Sequence, residues 1–360
     1  KELMKEARLI PDKISGSEAE MRKLEEWIGN ALSKMPNIMH KSVPIGKSYA
    51  DNVEVKKIGK QTKFKFKPKN HVEIAESLGV ADFESSAKTS GNGFYYIKDE
   101  LALLNQALIR FGIEKMVRSG FSYVETPLML NSSVIRNVAD LNDMANQIYK
   151  IDGEDLYMIG TSEHSLIGRF IDRIIHEKDL PIKNTSYSMC FRREVGSHGI
   201  SERGLFRTHQ FNKIEMIAVC KPEESMKLFD EMKNLSIDMC KTIGIPIRVL
   251  DICSGDLGDL KHKQIDIEAW SPIEKKYYEI GSCSNLTDAQ AKRLKIRAID
   301  KNGNRFTPHT LNNTALATSR LMRAILENFQ QKDGSVKIPK TLQKYMLGKK
   351  EIKAKLLKKK

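Results

Sequence analysis

A run of alternating charged and aromatic residues between positions 191 and 215 constrains the fold more than any other feature of the sequence. Two β-rich segments, 185–195 and 207–220, flank a loop rich in glycine and serine at 196–204. Alternate residues of a strand share one face. The second strand is therefore predicted to present one face formed by Arg207, His209, Phe211, Lys213 and Glu215.

Arg192 and Glu194 share a face of the first strand, so a hairpin would collect arginines, carboxylates and an aromatic ring on one surface. One interpretation is an exposed face covered with ion pairs, because a core-facing strand does not tolerate so many unpartnered charges. The functional interpretation is a site for a phosphate and a base, since arginine offers a fixed fork of donors and phenylalanine a stacking face. The loop 195–203 beside it can contact a second substrate.

Two further segments carry residue types that suit the same site. Glu279 and Ser282 come at the end of a predicted strand, and their oxygens are hard ligands suited to Mg²⁺ that bridges nucleotide phosphates. Asn312 and Thr314 precede a helix that bears Arg320, and strand spacing lets these two side chains face one pocket. Taken alone, Arg320 is better explained as a surface arginine.

Strands joined by short loops, with helices between the groups, predict an α+β fold with an antiparallel β-sheet flanked by helices. A helix is predicted from Ser17, where Ser17 and Glu20 form a capping box after a short piece ended by Pro11 and Gly16. The other predicted elements are a strand pair at 53–67, helices at 98–118 and 315–330, and strands at 121–127, 185–195, 207–220, 245–253, 264–271, 276–283 and 296–300.

The chain has a formal net charge of +14, which favours phosphate polyanions as partners or, more simply, reflects a solvated lysine-rich surface. No apolar run is long enough for a membrane span, and no secretory leader is visible. Five cysteines without a C-x-x-C pair predict reduced thiols in the cytoplasm and no structural zinc. The lysine-rich segment 344–360 is interpreted as a solvated, partly frayed helix or as a phosphate-contacting tail.

Three segments resemble, in order, motifs 1, 2 and 3 of the class II aminoacyl-tRNA synthetases: 120–127 (GFSYVETP), 191–215 and 312–320. Three strings resemble the seryl-tRNA synthetases in particular: 161–163 (TSE), 203–215 (RGLFRTHQFNKIE) and 279–285 (EIGSCSN). The resemblance implies the class II catalytic fold over 46–345. It also implies that 1–45 is the remnant of an N-terminal helical tRNA-binding arm and that 346–360 is a basic C-terminal tail.

The function implied by this resemblance is that of a serine–tRNA ligase. Such an enzyme forms seryl-adenylate from L-serine and ATP with Mg²⁺, releases pyrophosphate, and transfers serine to the 3′ end of tRNA(Ser), and of tRNA(Sec) where present. The family also implies a cytoplasmic homodimer, without membrane association, with Pro127 at the subunit interface.

The resemblance assigns roles residue by residue. Arg192 is expected on the α-phosphate, Glu194 on the adenine edge and Phe211 against the adenine ring. Arg207 and Arg320 are expected to clamp the β- and γ-phosphates. Mg²⁺ is assigned to Glu279 and Ser282, and serine to Thr161, Glu163, Glu215, Asn312 and Thr314.

One departure from the family bears on the interpretation. Seryl enzymes generally carry a long antiparallel coiled-coil arm, whereas only its returning helix, at about 17–35, is recognisable here. With Lys1 at the start, this favours an N-terminally truncated chain over a naturally arm-less enzyme. Glu215 and Thr314 argue against the zinc-dependent serine pocket of another seryl branch.

Two alternative functions stay open. The first is an arm-less homologue that charges a carrier other than tRNA; the complete motif 2 loop and the basic balance oppose it. The second is a non-catalytic RNA-binding paralogue, which the presence of Arg192, Arg207, Glu279 and Arg320 opposes.

Overall fold

The computed structural model describes residues 2–139, 147–194 and 204–353. It divides into two compact units, Lys1–Asn37 and Ile38–Lys360. The loop 195–203 and the residues from 354 onward lie outside the described parts. The domain boundaries drawn from the sequence at residues 45 and 345 stay predictions.

The described helices are α1 Glu2–Ser33, α2 His71–Ser77, α3 Phe83–Ser90, α4 Asp99–Arg118, α5 Ser132–Val138, α6 Ser162–Gly168, α7 Ser225–Ile243, α8 Ala289–Arg293, α9 Thr318–Asn328 and α10 Lys340–Gln343. The strands are β1 Val53–Ile58, β2 Ala81–Asp82, β3 Tyr96–Ile97, β4 Ser122–Tyr123, β5 Met129–Leu130, β6 Tyr157–Met158, β7 Ile174–His176, β8 Ile182–Phe191, β9 Gln210–Cys220, β10 Ile247–Asp251, β11 Lys263–Ser271, β12 Lys276–Thr287, β13 Arg297–Ile299, β14 Arg305–Phe306, β15 His309–Ala317, β16 Val336–Lys337 and β17 Glu351–Ile352.

The first unit consists largely of the single helix α1. The predicted start at Ser17 is wrong, because the helix already runs from Glu2 and contains both Pro11 and Gly16. An interior proline removes one helical hydrogen bond and normally kinks or breaks a helix, so the continuity of α1 through Pro11 runs against the local signal. None of the described helices is long and apolar enough to cross a bilayer.

The second unit is built on an eight-stranded sheet with the order β1–β10–β11–β12–β15–β9–β8–β4. Every neighbouring pair is antiparallel except β4 with β8 at the edge. This confirms the predicted α+β fold. The predicted strand at 296–300 exists as β13, but it belongs to a separate three-stranded sheet with β7 and β14.

Strand β9 is buried on both faces, which explains its nearly continuous apolar sequence from Ile214 to Cys220. Ile214 and Met216 pack in the core cluster that includes the apolar face of α4. Ile217 and Val219 pack on the opposite side, in the cluster that includes Leu166 of α6. The sheet therefore lies between two helical covers.

Three predictions of secondary structure are wrong in extent, one of them the strand at 121–127, of which only β4, Ser122–Tyr123, is present. The segment 53–67 holds one strand, β1, which pairs with β10 rather than with a second strand of its own. The last long helix begins at Thr318 rather than near Ala315, because β15 continues to Ala317 beside β9.

The start of the basic tail is folded onto the second unit. Glu351–Ile352 pairs with Val336–Lys337, and the side chains of Met346 and Ile352 are buried. The expectation of a solvated helix is therefore wrong as far as residue 353. Two apolar side chains are enough to hold this short segment against the core.

Candidate active site

A cleft of ≈ 480 Å³ opens on one face of the central sheet, where β9, β12 and β15 lie side by side. The floor of the cleft lies where one face of β9 changes from apolar to charged residues. Ile217 and Val219 on this face are covered by α6, whereas Lys213 and Glu215 line the cleft. All twelve side chains that the sequence singles out for substrates and metal line this cleft: Thr161, Glu163, Arg192, Glu194, Arg207, Phe211, Glu215, Glu279, Ser282, Asn312, Thr314 and Arg320.

Glu163 is a buried carboxylate in the polar part of the cleft. It follows Thr161, whose hydroxyl accepts a hydrogen bond from the Glu163 amide at 3.3 Å and caps α6. Glu163 Oε1 accepts hydrogen bonds from Gln290 Nε2 at 2.7 Å and Asn312 Nδ2 at 2.8 Å. Burial, and then the charge of Glu215, raises the pKa of Glu163 to about 7. No ion pair reaches Glu163 from the described residues.

Glu215 differs from Glu163 because its charge has a partner. Lys213 Nζ lies 2.6 Å from Glu215 Oε2, and both side chains are almost completely buried. The hydroxyl of Thr314 is 3.5 Å from the same oxygen, across the β9–β15 pairing. The Lys213–Glu215 pair thus places a neutralised, hydrogen-bonding group at the cleft floor.

Arg192 and Phe211 form the wall above this floor. Arg192 Nε donates to the carbonyl oxygen of Gly160 at 3.2 Å, and its guanidinium lies 5.4 Å from the centre of the Phe211 ring. Within the described part of the chain, the terminal nitrogens of Arg192 form no hydrogen bond. Arg207 is exposed and likewise has no ion pair among these residues. Both arginines can therefore receive an anionic group.

A β-bulge brings Glu279 and Ser282 to the same face. The register between β11 and β12 shifts by one residue between Gly281 and Glu279. Without the extra residue, positions 279 and 282 would point to opposite sides of the sheet. The sequence placed these two residues in one predicted metal site because they are close along the chain. The bulge is the physical reason that they do share a face.

Glu279 meets Arg320 at the mouth of the cleft. Arg320 Nη1 lies 3.2 Å from Glu279 Oε2 and donates to the Glu279 carbonyl oxygen at 2.9 Å. Burial alone would raise the pKa of Glu279, but the charges of Arg320 and Arg192 outweigh it and hold the pKa below its ordinary value. The Glu279 side chain is still 45% exposed, so the carboxylate is ionised and accessible.

Magnesium fits the residues on this wall. The Glu279 carboxylate and the Ser282 hydroxyl are hard oxygen donors, and they leave the remaining positions for phosphate oxygens and water, as Mg²⁺ prefers. No cluster of three or more His, Cys, Asp or Glu side chains arranged to hold a metal was found in the described ranges. A site completed by a nucleotide is the arrangement that these residues suit.

Asp266 is a cleft residue that the sequence analysis missed. It pairs in register with Ser282, and Gln264 Nε2 donates to its Oδ1 at 2.6 Å. Burial, followed by the charge of Glu279, raises the pKa of Asp266 to about 8. The strand at 264–271 was predicted, and its alternation of Gln264 and Asp266 on one face was the available signal.

His164 and Gln290 were also missed. His164 is buried beside the cleft, and burial, with Lys213 and Arg192 nearby, lowers its pKa to about 3, so the imidazole is neutral. Gln290 comes from α8, far along the chain, and bonds Glu163. No local pattern in the sequence connects Gln290 to Glu163.

His209 does not share the cleft face, contrary to the prediction. Residues 204–209 form turns and β9 starts at Gln210, so strand alternation does not extend back to His209. His209 Nδ1 instead lies 2.9 Å from the Arg192 carbonyl oxygen and 3.0 Å from the Tyr149 hydroxyl. It thereby holds the backbone at Arg192, three positions before the loop 195–203 begins.

Two glycines make room for histidines at the base of that loop. Gly93 has φ +81°, and a Cβ there would collide with the His209 ring. Gly204 has φ +83°, and a Cβ there would lie 2.7 Å from His71 Nε2. The same His71 nitrogen accepts a hydrogen bond from the Leu205 amide at 3.2 Å. At both positions a histidine ring thus packs against a glycine with positive φ, where a side chain has no room.

Comparison with known protein families finds a match to the tRNA synthetase class II core domain (G, H, P, S and T) over residues 148–329. The serine–tRNA ligase of Methanoregula boonei is 45% identical over 346 residues, which cover 96% of this chain and 81% of that protein. The serine–tRNA ligase of Nitrosopumilus maritimus is 43% identical over 351 residues, 95% and 83% of the two chains.

Solved structures give the same result. The seryl-tRNA synthetase of Pyrococcus horikoshii, complexed with ATP, superposes with a TM-score of 0.92 at 40% identity, over 99% of this chain and 84% of that one. The cytoplasmic serine–tRNA ligase of Naegleria fowleri, in complex with AMP, superposes with a TM-score of 0.88 at 34% identity, over 95% and 82%.

Proposed function

The chain belongs to the serine–tRNA ligases, which are class II aminoacyl-tRNA synthetases, and from this premise we propose how it acts. It activates L-serine with ATP and Mg²⁺ to seryl-adenylate and transfers serine to the 3′ end of tRNA(Ser), and of tRNA(Sec) where that tRNA is present. The observation that supports this most is the convergence in one cleft of a buried polar pocket with Arg192 and Arg207, which have no ion pair in the described structure.

Activation is an in-line displacement in which a serine carboxylate oxygen attacks the α-phosphorus and pyrophosphate leaves. Such a step depends on positioning and charge neutralisation more than on a side-chain base. Arg192 is proposed to hold the α-phosphate, and Arg207 and Arg320 the β- and γ-phosphates. Mg²⁺, held by Glu279 and Ser282, would neutralise charge on the phosphate oxygens.

The adenine ring is proposed to stack on Phe211, with Glu194 accepting from the adenine edge. Phe211 carries the Arg192 guanidinium at 5.4 Å, so the wall that binds the base is continuous with the group that binds the α-phosphate. A base seated there lies within reach of both.

The two buried carboxylates divide the recognition of serine. Glu163 lacks an ion-pair partner among the described residues, which supports it as the group that binds the serine ammonium. Glu215 is already neutralised by Lys213, which suits it, with Thr314, to the serine hydroxyl. Thr161 and Asn312 complete the pocket around Glu163. A buried polar site of this kind can reject an analogue that lacks the hydroxyl by roughly 10⁴-fold.

In the second step the terminal ribose hydroxyl of tRNA attacks the seryl carbonyl and AMP leaves, with the proton passing to an adenylate oxygen. No side chain needs to become covalently modified. The chain is further proposed to act as a homodimer, with Pro127 at the interface. Pro127 is exposed, as an interface residue of an isolated subunit must be.

The decisive experiment is amino-acid-dependent exchange of labelled pyrophosphate into ATP, with serine, alanine, glycine, threonine and cysteine compared side by side. Strong exchange with serine, and exchange with alanine lower by roughly 10⁴-fold, is expected. Exchange that prefers alanine or glycine would contradict the pocket assignment and favour a carrier ligase. No exchange with any amino acid, in folded protein supplied with Mg²⁺, would contradict the proposed catalysis.

The subunit arrangement is tested separately by sedimentation velocity at micromolar concentration. A mass near 82 kDa is expected, twice the 41.0 kDa of one chain. A sedimenting monomer would contradict the homodimer without affecting the adenylate chemistry.

A further inference from the structure

A stripe of four lysines follows the segment between β1 and α2. Lys63, Lys65, Lys67 and Lys69 are exposed, and the residues between them are half-buried. Exposure therefore alternates residue by residue, so that all four ammonium groups are presented to solvent within one seven-residue segment. We call these four residues the lysine stripe.

The backbone under the lysine stripe is fastened to the sheet and to α9. Trp270 Nε1 donates to the Thr62 carbonyl oxygen at 3.4 Å. The Gln330 side chain bonds Lys69 twice, accepting from its amide at 2.8 Å and donating to its carbonyl oxygen at 2.9 Å. Between these anchors the rings of Phe64 and Phe66 pack at 4.8 Å. The stripe is thus a fixed surface feature.

The charges of the lysine stripe have no counter-ion in the described structure. None of the four lysines lies within 4.0 Å of a described carboxylate, whereas nearby Lys57 is paired with Glu54 at 2.8 Å. Four neighbouring like charges repel each other, and an anion that binds along the stripe relieves this repulsion. Four exposed cations within seven residues suit a polyanion with closely spaced charges.

Protection of the sheet edge does not explain the stripe. Edge strands commonly carry lysines that prevent pairing with another chain, and Lys56 and Lys57 on β1 can serve that purpose. The stripe residues come after β1 and belong to no strand. They therefore do not protect a strand edge, and the alternation of exposed lysines with half-buried residues requires another reason.

The stripe ends near the active site, from which the buried His71 separates it. Lys69 is two residues from His71, which spans about 7 Å in extended chain. His71 bonds the Leu205 amide at 3.2 Å, directly at the base of the loop 195–203 and two residues from Arg207 in the cleft. An RNA strand lying along the stripe would therefore have its end close to the cleft.

We propose that the lysine stripe binds the sugar–phosphate backbone of the acceptor arm of tRNA and guides its 3′ end to the cleft. This rests on the proposed function, since it takes the substrate to be tRNA. Lysine contacts of this kind neutralise phosphates, release counter-ions and carry no sequence information. The stripe supplies affinity and orientation rather than selection among tRNAs.

The first test removes the charge of the stripe and compares the result with an equal loss elsewhere. The variant K63Q/K65Q/K67Q/K69Q is set against K178Q/K227Q/K241Q/K301Q, four exposed lysines that also lack an ion pair in the described structure. The Kd for a tRNA(Ser) transcript is measured from low to high salt. Each lost contact reduces the magnitude of the slope of log association constant against log salt by about 0.7–0.9. For the stripe variant, the magnitude of the slope should therefore fall by about 3.

The control variant is expected to keep most of the slope, and both variants are expected to retain serine-dependent pyrophosphate exchange. An equal slope and Kd in the two variants would overturn the proposal. Loss of binding to phosphatidylserine vesicles with unchanged tRNA binding would also overturn it, because the stripe would then face a membrane.

The second test locates the RNA. All five native cysteines are buried, so a Lys65→Cys variant of the full chain can be labelled selectively with a tethered iron chelate. Hydroxyl-radical cuts confined to the acceptor arm of bound tRNA(Ser) are expected, with none from a Lys241→Cys control. Cuts only in other arms, or none, would overturn the proposal.

Failure of this inference is distinct from failure of the proposed function. A chain that activates serine but binds tRNA equally well with or without the stripe loses only the inference. A chain that fails to exchange pyrophosphate, yet loses salt-dependent tRNA binding with the stripe, loses the catalytic proposal and keeps the RNA surface.

Discussion

Arg320 and Arg323 lie one helical turn apart on α9, and yet their surroundings are opposite. Arg323 is 1% exposed and its charge is met by Glu327 at 3.0 Å and by Glu274. Its guanidinium lies 4.5 and 4.2 Å from the centres of the Phe206 and Tyr278 rings. Arg320 lies 5.4 Å from the centre of the same Phe206 ring, but Glu279 at the cleft mouth is its one ion-pair partner among the described residues.

The difference extends to the neighbours of each arginine. Around Arg323, Glu327 also accepts from Ser271 at 2.7 Å and lies 3.1 Å from His71 Nδ1, which gives a closed cluster without room for a ligand. Around Arg320, the charges of Arg192 and Arg207 have no carboxylate partner among the described residues. The enclosed charges are expected to stabilise the fold, whereas the open charges are proposed to bind a substrate. Removing an enclosed charge should therefore lower stability, and removing an open one should lower activity.

The largest effect is expected for Arg192→Ala. Loss of a group that stabilises transition-state charge should lower the rate of serine-dependent pyrophosphate exchange by about 10³-fold, or about 4 kcal/mol. The free energy of unfolding should fall by only about 1 kcal/mol, because the hydrogen bond to the Gly160 carbonyl oxygen is lost but no described carboxylate loses an ion pair. The matched control is Arg193→Ala at the exposed adjacent position. Equal losses of exchange rate in both variants would contradict the assignment of Arg192 to the α-phosphate.

For Glu327→Ala in the closed cluster, the main expected effect is a loss of stability rather than a loss of activity. Removing one partner of a buried charge typically costs 3–5 kcal/mol, and about 3 kcal/mol of unfolding free energy is expected here because Arg323 retains Glu274. Urea unfolding measures it, with Glu279→Ala as the control for loss of one carboxylate. If Glu279→Ala were the more destabilising of the two, the distinction between closed and open charge would fail.

Glu279→Ala should act on magnesium instead. Loss of a direct ligand should raise the Mg²⁺ concentration needed for half-maximal exchange by at least the roughly 10-fold that follows from loss of an outer partner. Titration of exchange activity with Mg²⁺ at saturating ATP measures this shift. Unchanged Mg²⁺ dependence would contradict the metal role and leave Glu279 as a partner of Arg320 only.

The smallest effect is a pH dependence of the KM for serine, which tests Glu163 as one of the two carboxylates proposed to bind serine. The pKa of Glu163 is about 7, so its carboxyl is mainly neutral at pH 6 and mainly charged at pH 8. The serine ammonium is positive throughout, so the KM for serine should fall about 10-fold as pH rises over that range. In Glu163→Gln the KM should be high and independent of pH. A flat profile in the unmodified protein would contradict the assignment of Glu163.

Local patterns predicted the sheet and most of the cleft for identifiable reasons. Alternation along β9 placed Phe211, Lys213 and Glu215 on one side because the strand is regular there. The prediction fails at His209, where turns replace the strand, and in α1, where Pro11 and Gly16 lie inside a continuous helix. At His209 the contacts with Arg192 and Tyr149 override the local signal, whereas the described side chains of α1 are exposed and no described contact explains its continuity.

Residues brought from afar could not be predicted in the same way. Gln290 reaches Glu163 from α8, and the His71 ring meets Leu205 across 134 positions of sequence. Helix α7 was overlooked altogether, although its residues Leu228, Phe229 and Met232 fall at helical spacing and are buried. The roles of the twelve cleft residues stay predictions until the variants above are measured.

The two glycine–histidine contacts at the base of the loop 195–203 also bear on how this enzyme can change over generations. His209 bonds the Arg192 carbonyl oxygen and His71 bonds the Leu205 amide, so each contact lies on the backbone beside an arginine of the cleft. A side chain at Gly93 or Gly204 would collide with one of these rings and shift that backbone. Inherited change is therefore expected to spare these two glycines, although neither of them lines the cleft.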